Sequence, residues 1–263
     1  MTPEELADVG LRYAVTDAVA TVTLSRPEVR NAQTPAMWAA LAEIGDSVPD
    51  DVRVVVVRGE GQSFSAGLDR AMLDPVASAD DPESVVGLLR RDDAEIAETV
   101  DRFQQGFTWL RDPRFVSVAV VQGHAIGAGF QLALSCDLRV VADNAVFCMK
   151  EPALGLVPDL TGTKPLVESV GYARALEICA TSRNVGAAEA LEIGLATVVC
   201  PLGELDGALA DLVAAVTAPM AGAVRETKAL LLAASGRTLE DQRRHEREAQ
   251  IRRFRELAAL MGG

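Results

Sequence analysis

Two short glycine-containing stretches, Phe64-Ser65-Ala66-Gly67-Leu68-Asp69 and Gly123-His124-Ala125-Ile126-Gly127-Ala128-Gly129, each follow an apolar run and each precede an expected helix. Main-chain N–H groups at the start of a helix have no intrahelical acceptor. Two such donors converging on one point would hold a developing oxyanion in a dry pocket, commonly the largest electrostatic contribution to acyl chemistry. The small residues Ala66, Gly67, Ala128 and Gly129 would let a substrate approach the main chain. Taken singly, each stretch is more often an ordinary tight turn. Downstream, Glu151 in Met149-Lys150-Glu151-Pro152 and Asp159 in Val157-Pro158-Asp159-Leu160 are the candidate acids and bases. A carboxyl group in an apolar pocket has a raised pKa and passes protons near neutral pH. An unselected carboxylate, by contrast, is usually a solvated loop residue.

Other chemistries fit less well. Gly123, Gly127 and Gly129 give GxxxGxG rather than the GxGxxG of a dinucleotide loop, and no GxxxxGK[ST] phosphate loop occurs. Gly61-Gln62-Ser63-Phe64-Ser65 lacks the last glycine of a serine-hydrolase elbow. The four cysteines form no CxxC pair, and neither His124 nor His245 lies in an HExxH helix, so no catalytic metal is expected. The cysteines read as reduced core thiols. His124 reads as a packed or solvent-facing loop residue.

The elements that must position these groups follow from pattern. With 263 residues, 49% apolar and 24% charged, the chain supports one large domain, or one core with a smaller appendage. No apolar run reaches the roughly 18 to 20 residues needed to span a bilayer, and the acidic opening MTPEELADVG does not resemble a secretory leader. A cytoplasmic protein without membrane association is therefore expected. The net charge of −13 would repel a phosphate backbone, which argues against nucleic acid as a partner. Opening strands around Val15 to Leu24 end at Arg26-Pro27. Thr34-Pro35 then caps a helix carrying Met37, Leu41, Ile44 and Val48. Buried strands are expected over Val52 to Val57 and Phe115 to Val121, with shorter ones at Leu138 to Ala142 and Val146 to Met149. Between them lie an acidic, helical and mobile covering segment, Asp74 to Asp101, and an amphipathic helix over Glu95 to Leu110. Helices recur from about Pro165, and beyond Glu204 the chain reads as helix alone, including Ala221 to Ala233 and Leu239 to Leu260. This gives an α/β core over 1–200 and a helical region over 201–263.

Four segments in order resemble the crotonase, or enoyl-CoA hydratase/isomerase, superfamily. Leu24-Ser25-Arg26-Pro27 with Asn31-Ala32 is similar to LxRPxxxNA, and Phe64 to Asp69 to FxAGxD. Gly123 to Asp137 reproduces GxAxGxGxxLxxxCD, while Phe147, Glu151, Gly155 and Pro158 fall at the offsets of FxxxExxxGxxP. The resemblance implies a spiral of ββα units with a C-terminal helical trimerisation region, assembled as a homotrimer or a hexamer of two trimers. It implies an acyl-CoA thioester as substrate, with coenzyme A part of that substrate and no separate cofactor. By motif position the thioester oxygen would meet the N–H groups of Leu68 and Ala128; Ala128 replaces the family's usual glycine but still supplies its N–H. Arg26, Arg30, Ala66, Gly67, Asp69 and Gly127 would line the substrate, Arg30 toward a CoA phosphate. The arginines of the last helix are expected on a solvated face.

Gln131 marks a departure, standing where hydratases of the family carry the first of two catalytic glutamates. A glutamine orients a water or a carbonyl but exchanges no proton at physiological pH. Glu151 matches the second glutamate, and Asp159 matches an aspartate of some family isomerases. Moving a double bond needs one base working on one face of the acyl chain, with the oxyanion hole holding the dienolate. The residues therefore favour enoyl-CoA isomerisation by Glu151 with Asp159. The alternatives are a hydratase in which Gln131 positions water, and a non-catalytic acyl-CoA-binding member.

Overall fold

The computed structural model describes residues 1–78 and 80–262, so Ala79 of the covering segment and Gly263 of the C-terminal region lie outside the described residues. Up to the second glycine stretch the elements are α1 (Pro3–Asp8), β1 (Leu11–Thr16), β2 (Val19–Leu24), α2 (Pro35–Ser47), β3 (Val54–Gly59), α3 (Val85–Leu88), α4 (Asp93–Thr108), β4 (Val116–Val121) and β5 (His124–Ile126). Then come α5 (Ala128–Ser135), β6 (Leu138–Ala142), β7 (Val146–Cys148), α6 (Thr163–Val170), α7 (Tyr172–Thr181), β8 (Val185–Gly186), α8 (Ala187–Glu192) and β9 (Val198–Cys200). The helices α9 (Leu205–Thr217), α10 (Ala221–Ala234) and α11 (Leu239–Met261) complete the chain.

Six strands form one sheet in the order β1-β2-β3-β4-β6-β9, parallel throughout except for β1, and three form a second sheet, β5-β7-β8. The valine run of β3 is apolar on both sides because both faces of its sheet are covered. Alternation divides it: Val55 and Val57 face the core containing Met37 and Leu41 of α2, Phe103 and Phe107 of α4, and Phe130 of α5. Val54 and Val56 face the other way with Val118, Val120 and Val140, and there α9 covers them with Leu205, Leu209 and Leu212. The first residues of the 201–263 segment are thus packed on the sheet of the 1–200 segment.

Several boundaries move from their expected positions. Val52 sits in a turn closed by its N–H on Pro49 O, and the ladder with β2 starts at Val54 and extends to Gly59, so β3 is displaced by two residues. The helix expected from Glu95 begins at Asp93, because Asp92 caps it and Glu95 bonds back to the Asp92 N–H. Residues 124–126, expected as loop, form β5 by parallel pairing with β7.

Candidate active site

Both glycine stretches are brought side by side by a short backbone zipper. Phe64 N donates to Gln122 O, Ser65 N to His124 O (2.8 Å each) and Ile126 N to Ser65 O (3.0 Å). Gly67 adopts φ +88°, and a Cβ there would stand 2.4 Å from Ile126 O and 3.5 Å from Ala128 N. At Gly129 a Cβ would stand 2.6 Å from Ser65 O. These two glycines serve the contact of loop on loop. A side chain at either position would meet the chain's own backbone.

Leu68 and Ala128 supply free donors on these adjoining loops. The Gly67 carbonyl accepts from Gln33 N (2.7 Å), and because the peptide is trans, the Leu68 N–H on its other edge points away from Gln33. Ala128 is the first residue of α5, where the N–H lies beyond the reach of the helix's own acceptors. Among the described residues, neither N–H has an acceptor within the chain.

Glu151 begins a 3-10 turn that leaves β7 and is 9% exposed. Its Oε1 accepts from Gln131 Nε2 at 2.7 Å, whereas Oε2 is buried without a partner among the described residues. Gly127, with φ +50°, leaves room for this carboxylate, since a Cβ there would stand 3.2 Å from Oε1. Burial pushes the Glu151 carboxyl above its usual range and the charge of nearby Asp159 adds to this, against hydrogen bonds from its own backbone, Gln131 and the Lys150 backbone. Asp159 is half-buried and is likewise raised by burial. Gln131 is fully buried, and its carbonyl oxygen accepts from Leu160 N (2.9 Å) and Gly162 N (3.2 Å). One glutamine therefore ties Glu151 to the loop that carries Asp159.

At the periphery Arg26 pairs with Asp69 (3.0 Å) and donates to Ala32 O (2.8 Å), so these two expected substrate contacts brace one another. Arg30 is exposed, with left-handed backbone at φ 54°, and its carbonyl accepts from Ala66 N, which sets the two residues together. His124 is exposed and meets Ser63 Oγ. Sequence reasoning missed Gln104, which reaches from α4 to the Asp159 carbonyl (2.7 Å), and the buried polar pair Gln33 and Ser65. A polar residue on the buried side of α4 is the only signal that marked Gln104.

Two sheets, free main-chain donors on two adjoining loops, and a buried carboxylate beside the start of α5, together with a solved enoyl-CoA hydratase fold that the chain matches, define the crotonase class of α/β folds. The chain belongs to the enoyl-CoA hydratase/isomerase family, which it matches over residues 14–262, and that family is enzymatic, acting on acyl-CoA. A Thermobifida fusca YX protein named "putative enoyl-CoA hydratase", solved with CoA, is 50% identical, with 98% of each chain covered and a TM-score of 0.91. A structure from the same organism, under the same name and with acetoacetyl-CoA bound, is 51% identical, covering 97% of this chain and 98% of that one, at a TM-score of 0.92. The human mitochondrial Delta(3,5)-Delta(2,4)-dienoyl-CoA isomerase is 34% identical over 222 residues, 80% of this chain but 64% of that protein's length.

Proposed function

We propose that the protein shifts the double bond of an enoyl-CoA thioester, with Glu151 as the single base. The Leu68 and Ala128 N–H groups receive the thioester oxygen. Glu151 takes a proton from C2 of a 3-enoyl-CoA, and the electron pair moves through the carbonyl to form a dienolate held by the two amides. Return of the same proton to C4 leaves the 2-enoyl product and restores the carboxylate. Asp159 keeps Glu151 basic through its charge. Arg30 and Ala66 border the CoA, and the Arg26–Asp69 brace fixes the wall between them. The likeness to structures containing CoA and acetoacetyl-CoA supports the substrate class.

The observation that carries this reading is the division of labour at the Glu151 carboxylate: Oε1 is held by Gln131, and Oε2 is left without a partner among the described residues. Gln131 itself has its oxygen engaged by two backbone donors, so it has no free carbonyl lone pair directed at a water. Hydration remains the second reading because it is the activity named for the Thermobifida relatives. Product analysis with 3-enoyl-CoA and 2-enoyl-CoA substrates in parallel tests the choice. Bond migration is expected from the first and slow or no water addition to the second; rapid hydration with no migration would overturn the proposal.

A further inference from the structure

Behind the Leu68 amide lies a buried polar chain whose side chains Ser65, Gln33 and Trp38 neither the motif match nor the chemistry above uses. Ser65 Oγ donates to Asn31 O (2.7 Å) and accepts from Gln33 Nε2 (3.0 Å) and from Gly67 N (3.2 Å). A hydroxyl has one proton and two lone pairs, so Ser65 is saturated. Gln33 in turn accepts from Trp38 Nε1 through its side-chain oxygen (2.8 Å). The main chain of Gln33 grips the same loop on both sides of Leu68: its N–H donates to Gly67 O and its carbonyl accepts from Asp69 N. Asn31, Gln33 and Ser65 are fully buried.

These bonds converge on the Gly67–Leu68 peptide. Gln33 fixes its carbonyl edge, and Ser65 fixes the N–H of the residue before it. Gly67 has left-handed backbone and no side chain, so little else restrains that peptide against rotation. A fixed amide dipole stabilises a developing oxyanion because it needs no reorientation during the reaction.

We infer that Ser65 and Gln33 are positioning residues that lock the Leu68 N–H onto the substrate's carbonyl oxygen, with Trp38 holding Gln33 in place; this rests on the oxyanion role given to Leu68 above. The test uses the carbonyl stretching frequency of the thioester in bound crotonyl-CoA, measured by Raman difference spectroscopy, alongside kcat, substrate affinity and Tm. In the unmodified protein the stretch should fall below its value in water. Ser65→Ala and Gln33→Met should each return it most of the way and lower kcat about tenfold, with affinity changed less than about threefold. Trp38→Phe keeps the aromatic packing and removes only the distal bond, so it should give a smaller shift in the same direction and serves if the other two fold poorly. A purely structural role would lower Tm while leaving the stretch in place, and that result in Ser65→Ala or Trp38→Phe overturns the inference. Absence of any shift in the unmodified protein would instead overturn the oxyanion reading itself.

Discussion

Glu151 sits in a conflict between stability and chemistry. Leaving one carboxylate oxygen buried and unpartnered among the described residues costs on the order of 1 to 3 kcal/mol, and the bonds from Gln131 and from the backbone of Glu151 and Lys150 offset only part of it. The sign of the pH dependence follows. Because its folded pKa is raised, the protonated form is favoured in the folded state; the cost is absent below the ordinary value of 4.5, grows as pH rises through the elevated value, and is constant above it. Glu151→Gln should therefore raise Tm by about 2 to 4 °C at pH 8 and leave it unchanged at pH 4, as read by differential scanning calorimetry at both values. The same variant should lose solvent-deuterium exchange at C2 of bound butyryl-CoA. In the unmodified protein kcat/KM for isomerisation should rise with pH and level off above the Glu151 pKa, because the base works only when ionised. Gln131 bears on both terms. Gln131→Leu leaves the Leu160 and Gly162 N–H groups without their acceptor and frees Glu151, so urea unfolding should show a loss of about 2 to 4 kcal/mol, with a fall in kcat.

Among the elements, α5 is where two glycine-like positions behave differently. Gly129→Ala gains about 1 kcal/mol of helix propensity, but its Cβ would meet Ser65 O at 2.6 Å and Ser65 Cβ at 2.7 Å, a backbone-level clash costing about 1 to 3 kcal/mol. The clash wins, and the helix must move off the 63–66 stretch and carry the Ala128 amide with it. Turnover should fall more than stability does. Ala128→Gly, one residue earlier, keeps the N–H and removes only a methyl group at the first helical position. It should cost up to about 1 kcal/mol and leave kcat within a few-fold, as paired kinetic and unfolding measurements would report. The neighbourhood of α5 also illustrates what the sequence could reveal. Gly127, Ala128, Glu151 and Asp159 stood out through the segments that resemble the family motifs, since a loop glycine or carboxylate taken singly carries no such signal. Gln104 on Asp159, across 55 positions, left no trace beyond one polar residue on the buried side of α4, because a single long-range hydrogen bond alters no local pattern. The same holds for β5, three residues long, whose existence depends on a partner at 146–148. Val52 and Arg53 fall in the strand expected from the apolar run around them, while the ladder begins at Val54, where β2 offers partners.

On the scale of the molecule, the C-terminal helices are fastened in two distinct ways. Apolar contacts hold α9, whose leucines cover Val54, Val56 and Val118. The attachment of α10 is polar: Lys228 is 8% exposed and donates to Asp112 O, Phe115 O and Asp137 Oδ2, each at 2.7 Å, while Arg225 reaches Arg114 O and Asp50 O. Asp137, just past the end of α5, also accepts from Ser117 N and Oγ at the start of β4, so one carboxylate joins the core sheet to α10. Breaking a buried pair from one side leaves the other charge uncompensated, which costs about 3 to 5 kcal/mol and exceeds what a median surface ion pair contributes. The pairs along α11, such as Arg243 with Glu240 and Arg244 with Asp241, are of that exposed kind and should matter little. Lys228→Met should therefore act locally. Hydrogen exchange followed by mass spectrometry should accelerate across α10 and α11, whereas α9 and the strands beneath it should keep their protection, because their burial does not pass through Lys228. Equal acceleration in α9 would mean that the three helices detach as one unit and that the apolar seam of Leu205, Leu209 and Leu212 against the sheet does not hold α9 by itself.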